Sequence, residues 1–324
     1  MTCLCKKIKE KNIYSIAAFS ITVILTIILY AKLGIAPFGD NTLMIWDMEL
    51  QYSSFLTWLR EVILGKDDWK YTFIGGYGGN AIGLISYYLA SPLNLLLVFF
   101  DISKMPWGIL VLTLVKSGLM ATTMQGYLYY KRNSLESVWF GCAYALSSYV
   151  ICYQSNIMWM DGLILLPCII KGIERLVETR CGRTYALSLG AAIISNYYIG
   201  YMLCIFSVIY FVFYLFVYYK KEKECNKIKE SLLFAYYSLI AGGLSGFLIF
   251  PTVYTLSLSS NKHMLDITEL LKQEKIVEYV KMIPFLFAGT FNGEQGILGK
   301  YPLIYCGSIF VFLAVFFSFR RELK

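Results

Sequence analysis

Long uncharged stretches alternate along the chain with short charged ones. Asn12 to Ala31, Tyr71 to Phe100, Ser137 to Met160, Thr184 to Tyr219, Ser231 to Asn261 and Tyr301 to Phe319 carry no charged side chain, and Met105 to Tyr130 is broken only by Lys116. A bilayer core takes about 20 apolar helical residues to cross, so these runs read as membrane spans. The expected fold is an all-α polytopic integral membrane protein. It is a single domain over 1–324, with about eight transmembrane helices near residues 13–33, 106–130, 137–154, 157–174, 184–197, 200–219, 231–253 and 302–319.

Ala81 to Phe100 decides the orientation of everything after it. If it does not cross, eighteen of the 29 Lys and Arg lie in the cytoplasm; if it crosses, fourteen of those move outside. The positive-inside rule favours the first arrangement, with both termini cytoplasmic in a bacterial cell membrane. Ser91 and Pro92 then read as the cap and first turn of a short surface or re-entrant helix. The apolar run behind the N-terminal lysines is long for a signal peptide and reads as an uncleaved anchor.

Two extracytoplasmic regions result, a first loop at 34–105 carrying surface helices and a last loop at 254–301. Within the second, Met264, Ile267 and Leu271 recur at helical spacing among charges, which predicts an amphipathic helix over Met264 to Met282.

Composition agrees with the pattern: 58% hydrophobic, 15% charged, mean hydropathy +0.59. The net charge of +8 would ordinarily raise nucleic acid as a partner, but the excess falls in the cytoplasmic loops and is an orientation signal. Nine cysteines sit mostly in spans or on the cytoplasmic side, so a disulfide framework is not expected. With His263 the only histidine, nucleophile systems built on histidine and multi-histidine metal sites lack raw material, and any general base is a carboxylate.

The densest chemistry lies just after the first span, at Gly39-Asp40-Asn41 and Trp46-Asp47-Met48-Glu49-Leu50-Gln51-Tyr52. On an α-helix Asp47 and Gln51 share a face at i, i+4, which suits recognition and deprotonation of a sugar hydroxyl; the competing reading is a solvated polar loop. Gly75 to Asn80 reads either as a flexible turn between two surface helices or as a close backbone approach to a phosphate or sugar. Lys116 sits near mid-bilayer, where a cation costs on the order of 3 kcal/mol and marks a pair or a pathway. Its partner is expected to be a carboxylate or a polyprenyl phosphate; the competing reading is snorkelling or a purely structural pair. Asp161, in the turn after Gln154-Ser155-Asn156, and Asn196 complete the set at the same membrane face.

The ordered succession Gly39-Asp40-Asn41-Thr42, Asp47-x-x-x-Gln51-Tyr52, Gly78-Gly79-Asn80, Tyr87-Tyr88-x-x-Ser91-Pro92-x-Asn94-Leu95, Tyr144-Ala145-Leu146-Ser147, Asn156-Ile157-Met158-Trp159-x-Asp161 and Ser195-Asn196-Tyr197-Tyr198-Ile199-Gly200-Tyr201 resembles the YfhO family of bacterial membrane proteins. The resemblance implies a glycosyltransferase of the GT-C type. Such an enzyme takes a sugar from a polyprenyl-phosphate carrier and places it on a cell-envelope polymer, here a lipoteichoic or related teichoic acid. It also implies an essential acid in the first outer loop, for which Asp47 is the first candidate and Asp40 the second. Family members run on through further spans, so the chain is expected to be shortened at its C-terminal end relative to them.

Sugar transfer from a lipid phosphate needs a base for the acceptor hydroxyl and a cation for the leaving phosphate. Asp47 suits the first role, while Arg60, Lys104 and Lys116 are candidates for the second. Gln51, Tyr52, Asn80, Asp161 and Asn196 are expected to line the substrate site. The residues call for no particular cofactor; a divalent cation bridging Asp40 or Asp47 to the phosphate is chemically admissible, though no ligand spacing calls for it. The expected partners are the lipid-linked donor, the polymer acceptor, the bilayer and the proteins that make and flip the donor, with no nucleic acid. Two rival readings are a transporter or flippase of lipid-linked sugars and a non-catalytic envelope assembly protein.

Overall fold

The computed structural model describes residues 2–219 and 226–258. They form a helical bundle entered through α1 (Thr2–Lys32). Helix α1 stops where Gly34 takes a left-handed conformation (φ 64°). There Ile35 N–H donates to Tyr30 O and Gly34 N–H to Ala31 O, satisfying carbonyls the last turn would leave open.

A long connection follows. It contains a π-helical turn (Met48–Tyr52), α2 (Ser53–Ile63) and an antiparallel hairpin of β1 (Tyr71–Thr72) and β2 (Gly79–Asn80). It then continues through α3 (Ile82–Leu84), a π-turn (Ile85–Leu89) and a 3₁₀ helix (Pro92–Phe99). The hairpin corrects the expectation of a flexible turn between two surface helices.

The remaining helices are α4 (Met105–Lys131), α5 (Glu136–Ala145), α6 (Ser148–Tyr153), α7 (Met160–Thr179), α8 (Arg183–Ser195), α9 (Tyr197–Tyr219) and α10 (Lys227–Leu258). Among the described residues, four helical stretches are long and apolar enough to cross a membrane: Asn12–Lys32, Ile102–Lys131, Tyr197–Val217 and Lys227–Leu258. The pair Ile82–Leu89 and Pro92–Phe99, bent by 90°, would make a fifth if counted as one span. The expected span at 137–154 is broken at Leu146–Ser147, where Ser147 is extended (ψ 154°). The expected loop at 254–301 starts later, since α10 runs to Leu258. The rest of that loop, the helix expected at Met264 to Met282, His263 and the span at 302–319 lie outside the described residues.

Contacts assign the helix ends. Tyr127, Tyr130 and Lys131 at the end of α4 meet Glu174 and Glu178 at the end of α7, while the start of α4 lies with the first loop and the end of α6 around one cavity. We call the latter the loop end. The bent pair enters and leaves there: Gly83 abuts Thr255 near the end of α10, and Leu97 and Phe100 abut Gly108 near the start of α4. Pro92 occupies the first turn and Ser91 Oγ accepts from Leu93 N, the cap its sequence predicts, on a 3₁₀ rather than an α-helix.

Two apolar clusters form the core. One gathers α1, α2, α4, α5, α6 and the start of α7 with the loop; the other gathers the rest of α7 with α8 to α10. Helices α7 and α8 approach so closely that a Cβ on Gly172 would collide with the Tyr185 backbone.

Candidate functional site

Asp47 opens the π-helical turn, preceded by Trp46 in a left-handed conformation (φ 55°). A π-turn bonds i to i+5, and this changes which side chain faces the carboxylate. The expected partner is Gln51; the observed one is Tyr52, whose hydroxyl lies 3.1 Å from Asp47 Oδ2. Gln51 is exposed instead. The same phenolic proton is shared with Asn156 Oδ1 at 3.2 Å, so the first loop is tied to the turn between α6 and α7. Asp47 itself is exposed while Tyr52 is buried. Burial first, and the Asp47 charge second, push the Tyr52 phenol above its ordinary value, so the hydroxyl remains a donor.

Tyrosines frame this pair. Tyr52 lies 5.3 Å from Tyr88, Tyr88 lies 4.5 Å from Tyr87, and Tyr87 reaches Tyr197 at 5.7 Å. Tyr87, Tyr88, Tyr197 and Tyr198 are only half-buried, so part of each ring is open to a ligand. Asn196 holds this wall by two bonds. Its side-chain amide donates to Tyr87 O at 2.7 Å, and its Oδ1 caps α9 by accepting from Ile199 N at 2.8 Å.

Lys116 and Asp161 lie behind the wall, enclosed. Lys116 Nζ is 2.5 Å from Asp161 Oδ2 and 2.9 Å from Ile157 O, and Ser91 Oγ donates to Asp161 Oδ1 at 2.7 Å. The ion pair is thus hydrogen-bonded on both sides and pins the apex of the bent pair to α4 and α7. The carboxylate alternative expected for Lys116 is the one observed, and neither side chain reaches the tyrosine surface. Ser91 was legible as a cap but not as the third member of this network.

The other candidates are dispersed. Asp40 is exposed in a turn closed by Asn41, whose side chain donates to Leu33 O at 2.7 Å. Arg60 is buried against Glu61 and reaches Asp101 at 3.6 Å, so its charge is already engaged. Lys104 is exposed on a short 3₁₀ turn, and Asn80 Oδ1 accepts from Ile82 N at 2.8 Å. Among the described residues no group of three or more His, Cys, Asp or Glu lies close enough to hold a metal ion.

A cavity beside Asp47, about 40 Å³, is lined by Leu43, Ile45, Met48, Ile109, Thr113 and Gln154 among others. That volume suits a water rather than a sugar.

A second polar cluster, at the opposite end of the bundle, has no counterpart in the sequence reading. Tyr127 and Tyr210 hydroxyls both donate to Glu174 Oε1, at 2.9 and 2.7 Å, and Lys131 Nζ is 2.6 Å from Oε2. Tyr130 and Tyr214 donate to Glu178 at 2.8 and 2.5 Å. The only sequence signal was a pair of glutamates at i, i+4 near a helix end.

A family model described as bacterial membrane protein YfhO matches residues 17–324. No curated protein and no solved structure matches the chain.

Proposed function

Because the chain belongs to the YfhO family of bacterial membrane proteins, we propose that it is a membrane glycosyltransferase, moving a sugar from a polyprenyl-phosphate carrier to a teichoic-acid-like envelope polymer. The observation that carries this reading is the exposed Asp47 carboxylate, held by Tyr52 and bordered by half-buried tyrosine rings and the Asn156 amide. Aromatic faces beside a carboxylate and an amide are the chemistry that grips a pyranose.

In this reading eight spans cross the membrane with both termini cytoplasmic, and the loop end faces outward. Tyr52 donates to Asp47 Oδ2 and leaves Oδ1 to accept the acceptor hydroxyl's hydrogen bond. The hydroxyl oxygen attacks the anomeric carbon as Asp47 takes its proton, and the bond from that carbon to the phosphate oxygen breaks. Of the three cations considered for the leaving phosphate, Lys104 is the exposed one; Arg60 and Lys116 are buried and already paired. Asp40, Gln51 and Asn80, exposed around the first loop, remain to contact the sugar or the acceptor. Asp161 and Asn196 support the site from behind.

A carrier for lipid-linked sugars is the second reading, favoured by polar clusters at both ends of α7. Between Asp161 and Glu174, however, α7 buries Ile164, Ile169 and Ile173, an apolar stretch that a polar headgroup would have to cross. The discriminating experiment complements a deletion strain with Asp47→Asn and Asp40→Asn, checks membrane abundance, and quantifies sugar on the envelope polymer. Loss of sugar with Asp47→Asn at normal abundance is expected. Full glycosylation by both variants would remove the catalytic assignment, and a block in carrier translocation would favour the second reading.

A further inference from the structure

The long connection at the loop end carries a hairpin whose exposed aromatic rings neither the bundle nor the proposed site uses. Trp69, Tyr71 and Phe73 are 53%, 47% and 70% exposed, and Tyr77 at the tip is wholly exposed. Lys66, Asp67, Asp68 and Lys70 precede and interrupt these rings, so the surface is aromatic with balanced charge.

The hairpin is built to hold this presentation. Tyr71 pairs with Asn80 and Thr72 with Gly79. Gly76 and Gly78 take φ values of 120° and 90° that only glycine adopts without strain. The rings of Tyr71 and Phe73 meet edge to face at 5.3 Å, and both lie over Gly78, where an added Cβ would come within 2.9 Å of the Phe73 ring. The aromatic plate is therefore preformed, and little ordering is needed when a surface covers it.

Its height follows from α10. The uncharged part of that helix begins at Ser231, just after Glu230. About 20 residues at about 1.5 Å each cross the hydrocarbon core, which brings its far boundary close to Pro251. Thr255 then stands roughly 6 Å beyond, within the headgroup layer. Gly83 abuts Thr255, and Gly83 follows β2 by three residues. The hairpin is thus tethered near headgroup height through α3, at the end of α10 where Val253, Tyr254 and Leu256 are exposed. Trp and Tyr concentrate in that layer because it offers an apolar side to the ring and a wet side to its polar edge.

We infer that the segment Trp69–Asn80 is an interfacial anchor. It lies in the headgroup layer of the leaflet at the loop end, with Trp69, Phe73 and Tyr77 among the lipids and Lys70 toward their phosphates. It holds the first loop, and Asp47 with it, against the membrane. The inference does not depend on the transferase reading, and its test needs no activity.

The full chain is placed in vesicles of phosphatidylcholine and phosphatidylglycerol whose acyl chains are brominated near the headgroup end. Subtracting the fluorescence of Trp69→Phe isolates the Trp69 signal. The bromolipid should quench that signal about twofold and aqueous iodide should quench it weakly; Phe73→Ser with Tyr77→Ser should reverse the pattern. Tyr77→Trp, at a tip with no packing to lose, supplies a second reporter that should behave as Trp69 does, and it answers the question if Trp69→Phe fails to accumulate. Reporters quenched by iodide and indifferent to bromolipid overturn the anchor. Reporters that respond only to an added soluble polyanionic glycan overturn it too, and assign the hairpin to a polymer.

Discussion

Lys116 and Asp161, 45 positions apart in the chain, form an ion pair of 2.5 Å with side chains 0% and 5% exposed. Ile157 O accepts from Lys116 and Ser91 Oγ donates to Asp161, so this buried pair joins α4, α7 and the apex of the bent pair. In a membrane bundle without water to solvate either charge, each requires the other.

Asp161→Ala should therefore leave an uncompensated ammonium and cost roughly 3–5 kcal/mol. Lys116→Met with Asp161→Leu removes both charges together and should cost far less than the single change. Unfolding of the purified chain in detergent measures the difference. A double variant as unstable as Asp161→Ala would mean that the stranded ammonium is not the source of the cost.

Tyr52 and Asp47 should separate fold from function. Asp47 is exposed, so Asp47→Asn should leave abundance unchanged and reduce sugar transfer by about 10²–10⁴, the range for a lost general base. Tyr52→Phe removes one oriented hydrogen bond and should cost on the order of tenfold, or about 1.4 kcal/mol. Equal losses from the two changes would make Tyr52 the reacting group.

The raised Tyr52 phenol sets a direction for alkaline stability. Its ordinary value is 10.0, and burial with the Asp47 charge lifts it. A group whose folded pKa exceeds its unfolded one contributes stability that is complete below the unfolded pKa and is lost as pH rises toward the folded one. The chain should lose stability above pH 10.0, and Tyr52→Phe should flatten that loss. Denaturation at graded alkaline pH checks the slope.

Tyr127 and Tyr210 donate to the same oxygen of Glu174. Each Tyr→Phe change should cost about 1 kcal/mol, and the pair should depart from additivity by more than about 0.5 kcal/mol, because loss of one donor strengthens the other. A double-mutant cycle on thermal stability reads this coupling directly.

Gly172 and Gly126 give a paired test of packing. Gly172→Ala drives a methyl into the Tyr185 backbone and should cost about 1–3 kcal/mol; Gly126 has open space and Gly126→Ala should stabilise α4 by about 0.5–1 kcal/mol. Similar melting shifts for the two would contradict the close approach of α7 and α8.

The sequence by itself determined the membrane environment, the all-helical bundle and the position of Asp47 after the first helix. Apolar run length and the need to satisfy backbone groups within each segment are local properties, readable without a partner. The cap at Ser91 was legible for the same reason. Only the tertiary structure decided what each polar group faces. A π-turn rather than an α-turn moved the partner of Asp47 from Gln51 to Tyr52, and bundle packing brought Asn156 to Tyr52 across 104 positions. Lys116 required a partner on physical grounds, yet several carboxylates qualified until helix rotation and depth selected Asp161. Glu174 and Glu178 resembled an ordinary charged helix end, and the packing of α4, α7 and α9 turned them into the anchor of four tyrosines. Hydropathy specifies that a helix is in the membrane; which face it turns inward depends on neighbours that lie far away in sequence.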